Sequence, residues 1–169
     1  YSWHGVDYPY HGTIAFDDFF RSYCETLLSV DESIGNVMQY LRESGEDKNT
    51  IIIYMGDNGF LLGEHGLIDK RNMYEQSMKV PMLVYAPGLI GEGKTLEQLI
   101  QNTDIAPTIL DMAGIETPAQ MQGTSFYRLL KGDNIPWRDK TFYEYYWEYA
   151  FPQTPTTFGI RKGNYKFVF

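Results

Sequence analysis

Ile51-Ile52-Ile53-Tyr54-Met55-Gly56-Asp57-Asn58-Gly59 is the stretch that decides how this chain is expected to fold. Its first five residues form a continuous apolar run, which is typical of a central parallel strand that is buried on both faces. The run ends abruptly at Gly56. Because ligands of open parallel sheets bind beyond the carboxyl ends of the strands, we expect Asp57 and Asn58 to lie at such a position.

A long amphipathic helix is predicted before this strand. Apolar residues at alternating spacings of four and three place one stripe along a helix from Phe16 to Leu41. Asp17 or Asp18 is expected to cap its first turn, and Gly45 is expected to end it in the left-handed conformation. A helix of this length needs a large apolar partner, and a sheet is the natural one.

Shorter elements are predicted after the strand, and a loop without periodicity is predicted before the helix. The loop is expected at residues 1–13, a second strand at 81–86 and a short helix at 104–113. Antiparallel strands are expected within 142–149, 157–160 and 165–169, with a turn at 161–164. This order indicates an α/β protein. We expect residues 1–132 to form the α/β layers and residues 133–169 to begin a small β-rich region.

Composition restricts the class of protein. The 169 residues are 43% hydrophobic and 16% aromatic, which supports a packed core and excludes a disordered chain. No apolar run approaches the roughly 18–20 residues that cross a bilayer. A net charge of −8 argues against a nucleic-acid partner. The single cysteine, Cys24, excludes an internal disulfide and a cysteine-built zinc site, and its place on the amphipathic helix predicts a packing role.

The loop between the two predicted strands is long for a plain connection and therefore indicates function. Asp57 and Asn58 offer two hard oxygen donors between glycines, which suits Ca²⁺ or Mg²⁺. The alternative is that Gly-Asp-Asn-Gly is an ordinary turn. His65 and Lys70 follow within the same loop and could supply a proton donor and a fixed positive charge for an anionic substrate. Each could equally be a solvated surface residue.

The pattern of this loop resembles the C-terminal half of the type I sulfatases. The matching positions are Tyr54-Met55-Gly56-Asp57-Asn58-Gly59, Gly63-Glu64-His65-Gly66, Lys70, Tyr74-Glu75, Val80-Pro81 and Pro87-Gly88. The supporting matches are Val30-Asp31-Glu32-Ser33-Ile34-Gly35 before it, then the segments 103–111 and 159–166 after it. The resemblance covers the chain from about Phe19 to its end.

The resemblance implies an alkaline-phosphatase-like α/β fold, with a mostly parallel sheet, flanking helices and a small antiparallel C-terminal sheet. It also implies hydrolysis of a sulfate ester, on a sulfated small molecule or glycan, in a periplasmic or secreted protein. Asp57 and Asn58 would be ligands of Ca²⁺ or Mg²⁺, Lys70 would bind the sulfate oxygens, and His65 would lie near the substrate as a catalytic or binding residue.

The chain departs from the family at the nucleophile. In the family, a formylglycine made from a Cys or Ser in a Cys/Ser-x-Pro/Ala-x-Arg motif attacks sulfur, and no Cys or Ser of this chain has that context. The first residue is Tyr1 rather than Met, and the sequence ends in a strand-like run. We therefore expect a piece of a longer enzyme, with the formylglycine outside it, and no sulfatase activity from these 169 residues alone.

Two other functions stay open at this stage. A phosphodiester or phosphonate hydrolase of the same superfamily usually has Asp-His where this chain has Asp57-Asn58, and the amide favours a single hard cation. A non-catalytic glycan-binding module could use the aromatic stretch 142–149 to stack on sugars. The plainer interpretation of that stretch is a strand that packs through alternate aromatic residues.

Overall fold

A computed structural model of the protein describes residues 15–91, 93–152 and 154–169. The predicted loop at residues 1–13 lies outside this range. Within it, the helices are α1 (Phe16–Ser44), α2 (Glu75–Met78), α3 (Ile105–Met112) and α4 (Tyr127–Lys131), and short 3₁₀ turns span Glu64–Gly66 and Asn102–Asp104. The strands are β1 (Ile52–Met55), β2 (Leu61–Leu62), β3 (Ile68–Asp69), β4 (Met82–Tyr85), β5 (Lys140–Tyr145), β6 (Thr157–Lys162) and β7 (Tyr165–Val168).

Helix α1 has the predicted length and the predicted end. Gly45 follows it at φ 74°, and its N–H bonds back to the carbonyl of Arg42. The predicted capping is wrong, because the residue before the helix is Ala15 and no side chain caps the first turn. Asp17 and Asp18 lie inside that turn, where their charges favourably face the positive end of the helix dipole.

The apolar stripe of α1 faces β1, as predicted, but the contact is incomplete. Val30, Ile34, Val37, Ile53 and Tyr54 line an open groove between helix and strand. No residue of α1 is buried within the described part of the protein. Cys24 is an exposed free thiol, so its predicted packing role is wrong in this structure. The described residues leave its side chain exposed.

Strand β1 was predicted to be parallel and buried on both faces, and both expectations are wrong. It pairs antiparallel with β4, with Ile53 opposite Val84 and Met55 opposite Met82. All four of its residues are half-buried. A continuous apolar run favours a parallel strand without fixing its direction, and the long loop between β1 and β4 allows the chain to turn back.

The C-terminal strands form the predicted small antiparallel sheet, in the order β5-β6-β7. Thr141, Tyr143 and Tyr145 of β5 are the more buried residues, and Phe142 and Glu144 point to solvent. The strand ends at Tyr145, so the aromatic residues that follow lie outside it and are exposed. The expectation of one strand through residue 149 is therefore correct only for its first part.

The α/β fold with a small antiparallel C-terminal sheet is confirmed. Pairings between the described strands are all antiparallel. The core lies around the loop that follows β1, where the fully or nearly buried apolar side chains are Leu61, Ile68, Met73, Ala86, Phe126 and Leu129. Among the described helices, none combines the length and the apolarity that a bilayer crossing requires.

Candidate active site

Asp57 and Asn58 lie in an exposed turn directly after β1. The Asp57 carboxylate accepts a hydrogen bond from the backbone N–H of Asn58 at 2.9 Å. The Asn58 amide donates to the carbonyl of Gly59 at 2.8 Å, which fixes the orientation of the side chain. The carboxamide oxygen Oδ1 of Asn58 is thereby left available to an incoming cationic group.

Lys70 reaches this turn from the other end of the loop. Its ammonium Nζ donates to Oδ1 of Asn58 at 3.1 Å, across twelve residues of sequence. The structure therefore brings together Asp57, Asn58 and Lys70, three of the four residues that the sequence singled out. An ammonium group beside two hard oxygen donors can hold an anion that a bound cation also contacts.

The position of the Asp57 turn is set by backbone contacts. The N–H of Gly59 donates to the carbonyl of Ser77, within helix α2, at 2.9 Å. A Cβ at residue 59 would lie 1.9 Å from the carbonyl oxygen of Gln76, so only glycine allows this approach. On the other side, the Asn102 amide donates to the carbonyl of Asp57 at 2.7 Å.

The backbone that carries Lys70 wraps around the carboxylate of Asp69. This carboxylate is 4% exposed and accepts hydrogen bonds from the backbone N–H of Lys70 at 2.7 Å, from Arg71 at 2.8 Å and from Asn72 at 3.1 Å. The hydroxyl of Thr154 donates to the same carboxylate at 3.4 Å. A buried charge with this many donors is well satisfied.

His65 lies apart from the contact between Asn58 and Lys70. It adopts a left-handed backbone conformation, φ 56°, which is uncommon for a residue other than glycine. Its ring stacks on the ring of Tyr74, with 4.0 Å between centroids and 16° between planes. The contact found for this ring in the described part of the chain is thus with an aromatic residue, and a role near the substrate stays a prediction.

Asp57 and Asn58 suit a hard divalent cation but do not complete a site for one. The carboxylate and carboxamide oxygens are donors that Ca²⁺ and Mg²⁺ prefer, whereas Zn²⁺ prefers imidazole or thiolate. Within residues 15–91, 93–152 and 154–169, no group of three or more His, Cys, Asp or Glu side chains could hold a metal ion. Ca²⁺ takes six to eight oxygen ligands, so these two residues can supply only a part of them.

Glu75 joins the segment after Lys70 to the C-terminal sheet. Its carboxylate pairs with Arg161 and with Lys166, each at 3.0 Å, and Lys166 also donates to the carbonyl of Met73. Burial alone would raise the pKa of Glu75, but the hydrogen bond from Lys166 and the charges of Arg161, Lys166 and Lys79 outweigh it and lower the pKa from its usual value of 4.5.

Sequence reasoning missed the side chains that support the site. Asp104 is fully buried, and its carboxylate pairs with Arg138, one arm of the guanidinium lying 2.8 Å from Oδ1. It also accepts the backbone N–H groups of Gln101 and Thr124, each at 2.8 Å. The burial of Asp69 had one signal in the sequence, since two residues that can donate hydrogen bonds to it, Arg71 and Asn72, follow closely.

Comparison with known proteins agrees with this architecture. Residues 4–115 match the family model described as sulfatase, and residues 63–169 match the model described as N-sulphoglucosamine sulphohydrolase, C-terminal. The chain is 40% identical, over 156 residues, to the N-acetylglucosamine-6-O-sulfatase of Bacteroides thetaiotaomicron. The aligned region covers 90% of this chain and 28% of that protein. It is 41% identical, over 116 residues, to the extracellular sulfatase SULF-1 homolog of Drosophila melanogaster, covering 68% of this chain and 10% of that protein.

Solved structures show the same likeness. BT4656 in complex with its substrate D-glucosamine-2-N,6-O-disulfate superposes with a TM-score of 0.86 at 40% identity, over 90% of this chain and 32% of that one. The phosphonate monoester hydrolase of Agrobacterium radiobacter superposes with a TM-score of 0.74 at 26% identity, over 83% of this chain and 30% of that one. The chain thus spans less than a third of the length of each of these four proteins. The matches to both family models, together with the fold, show that this chain belongs to the sulfatase family.

Proposed function

We propose that the full-length protein is a sulfatase that hydrolyses a sulfate ester of a carbohydrate, with a 6-O-sulfated glucosamine as the substrate. The observation that carries this proposal is the contact between the Lys70 ammonium and the Asn58 carboxamide, 3.1 Å apart and next to Asp57. The names of similar proteins support the sugar: one is an N-acetylglucosamine-6-O-sulfatase, and another is described with a sulfated glucosamine as its substrate.

Asp57 and Asn58 are proposed to supply two of the ligands of one Ca²⁺ or Mg²⁺ ion. When bound, such a cation offsets negative charge on the sulfate oxygens as the S–O bond breaks. Lys70 is proposed to bind another sulfate oxygen from the adjacent position, and its contact with Asn58 holds it there before the substrate arrives. His65 is proposed to lie near the sugar. The formylglycine nucleophile is proposed to come from outside these residues.

Two further points of organisation and location belong to the same proposal. We propose that residues 1–132 are part of the catalytic α/β region and that a small β-rich region begins at residue 133, just after α4 ends at Lys131. We also propose that the protein is periplasmic or secreted. A relative that is described as an extracellular sulfatase supports this location.

The test uses the purified full-length protein with Ca²⁺ and measures release of sulfate from glucosamine-6-sulfate. Release of sulfate that stops on chelation of Ca²⁺ supports the proposal, and absence of release from an intact, folded protein would contradict it. Binding of Ca²⁺ by calorimetry should weaken at least 10-fold in Asp57→Ala. It should be unchanged in Asp31→Ala, which removes an exposed carboxylate from α1.

A phosphonate monoester hydrolase is the second candidate, because an enzyme of that activity shares this fold at a TM-score of 0.74. Hydrolysis of a phenyl phosphonate monoester, measured beside the sulfated sugar, separates the two. Crystals soaked with Ca²⁺ or Zn²⁺ give a second criterion. A single ion at Asp57 and Asn58 favours the sulfatase, and two ions about 4 Å apart favour the phosphonate hydrolase.

A further inference from the structure

We infer that Asp69 is a positioning residue, which aligns Lys70 with Asn58 and couples that alignment to Glu148, Phe151 and Thr154 of the loop after β5. The inference deepens the proposed function and rests on it for the role of Lys70. Asp69 itself is 4% exposed and therefore has no direct access to a substrate. Its effect must pass through the residues that its carboxylate holds.

The first step is the tie to Lys70. Oδ1 of Asp69 accepts the backbone N–H of Lys70 at 2.7 Å and the guanidinium of Arg71 at 2.8 Å, while Oδ2 accepts the amide of Asn72 at 3.1 Å. One rigid acceptor thus restrains three successive residues. The long side chain of Lys70 is exposed and spans to Asn58, so its direction depends on the backbone from which it starts.

The second step is the tie to the C-terminal loop. The hydroxyl of Thr154 donates to Oδ2 of Asp69 at 3.4 Å. The guanidinium of Arg71 lies over the ring of Phe151, 3.1 Å from its centroid, and Nε of Arg71 is 3.7 Å from the carboxylate of Glu148. The side chains of Asp69 and Arg71 therefore also contact Glu148, Phe151 and Thr154. Thr154 lies 85 residues after Asp69 in the sequence.

The third step joins the cluster to the C-terminal sheet. The hydroxyl of Tyr143, on β5, donates to the backbone carbonyl of Arg71 at 2.7 Å. Burial and the nearby charge of Asp69 raise the pKa of Tyr143, so the hydroxyl stays protonated and remains a donor. A displacement of the loop after β5 is expected to reach Lys70 through Arg71 and Asp69.

A double-mutant cycle tests this inference in the full-length protein. Asp69→Asn should lower kcat/KM for glucosamine-6-sulfate about 10- to 100-fold in the wild-type background. In the Lys70→Ala background, the same change should lower the residual kcat/KM less than about 3-fold, because the group that Asp69 aligns is gone. An equal loss in both backgrounds would overturn the inference, since it would show that Asp69 supports the fold alone.

A second variant covers the case in which Asp69→Asn does not fold. Thr154→Val keeps the size of the side chain and removes only the bond to Asp69. Backbone hydrogen exchange should then accelerate at the amide of Lys70, although the substitution is distant in sequence. Thr157→Val is the matched control, because its hydroxyl bonds locally to the carbonyl of Pro155. Unchanged exchange at Lys70 in Thr154→Val would overturn the coupling.

The exchange measurement needs no substrate, and this keeps the two proposals separable. If the protein releases no sulfate but Thr154→Val accelerates exchange at Lys70, the proposed function fails and the coupling stands. If the protein is an active sulfatase and exchange at Lys70 does not respond, the coupling fails and the proposed function stands.

Discussion

The two sides of the candidate site are each held by a buried carboxylate that pairs with an arginine, and the two carboxylates act over different distances. Asp104 supports the Asp57 side through the 3₁₀ turn that it shares with Asn102, which bonds to Asp57. Two of the partners of Asp104, Arg138 and Thr124, are 34 and 20 residues away. Asp69 supports the Lys70 side, and three of its four partners lie within three residues, the fourth being Thr154, 85 residues away. We therefore expect loss of Asp104 to affect the whole fold and loss of Asp69 to affect mainly the local alignment of Lys70.

The largest expected effect is on stability, from Asp104→Ala. The change leaves the guanidinium of Arg138 without its buried partner and two backbone N–H groups without an acceptor. The free energy of unfolding should fall by about 3–5 kcal/mol, measured by urea titration. Asp133→Ala, which breaks an exposed pair with Arg128, is the control and should leave the free energy of unfolding nearly unchanged. If Asp104→Ala lowered the free energy of unfolding no more than Asp133→Ala does, the proposed role of Asp104 in holding the whole fold would be wrong.

An intermediate effect is expected where the two sides meet, at Gly59. The backbone of this residue contacts the segment that follows Lys70, and an added Cβ would lie 1.9 Å from the carbonyl oxygen of Gln76. Gly59→Ala should lower the free energy of unfolding by about 1–3 kcal/mol, because the two backbones must separate. Gly35→Ala on α1 meets no atom within 4 Å and should stabilise the protein by about 0.5–1 kcal/mol. Equal effects from both substitutions would contradict the close approach.

The smallest expected effect is the pH dependence that Glu75 contributes. Its pKa is lowered in the folded protein, so its contribution to stability is fully present above the usual value of 4.5 and is lost as the pH falls through the folded value. Because the side chain is 41% exposed, solvent screens the pairs with Arg161 and Lys166 and the contribution is small.

The substitution Glu75→Gln isolates that contribution. The wild-type protein should be more stable than the variant at pH 6, and the difference should shrink towards zero as the pH is lowered below 4.5. Thermal unfolding over a series of pH values measures this. Glu116→Gln, at an exposed carboxylate, should show no such trend. A difference that grows on acidification would contradict the assignment of the lowered pKa.

Local patterns predicted much of the fold. Spacing alone placed α1 and its end at Gly45, and β-rich stretches with a turn placed the β6-β7 hairpin. The direction of β1 was predicted wrongly, since an apolar run is only more common in parallel strands and does not determine how the neighbouring strand runs. The exposure of Cys24 was missed for a related reason: periodicity shows which face is apolar and not whether anything covers it.

The candidate site was predictable in its exposed residues and not in its supports. Glycines and a short spacing mark Asp57, Asn58 and Lys70 in the sequence, and the structure places Lys70 against Asn58, while their roles stay predictions. Asp69 and Asp104 were missed, because a carboxylate is usually solvated and its burial depends on arginine partners that only the tertiary structure supplies. The partner of Asp104, Arg138, is 34 residues away, beyond the reach of any local pattern.

The most direct test of the site is the activity of the Lys70→Ala variant of the full-length protein on glucosamine-6-sulfate. We predict that kcat/KM falls about 100-fold or more while the unfolding midpoint stays near that of the wild type, because the ammonium is exposed and contacts the Asn58 oxygen rather than the core. Lys48→Ala, which removes an exposed ammonium after α1, should keep full activity. Equal activity of Lys70→Ala and Lys48→Ala would contradict the assignment of Lys70 to the sulfate site.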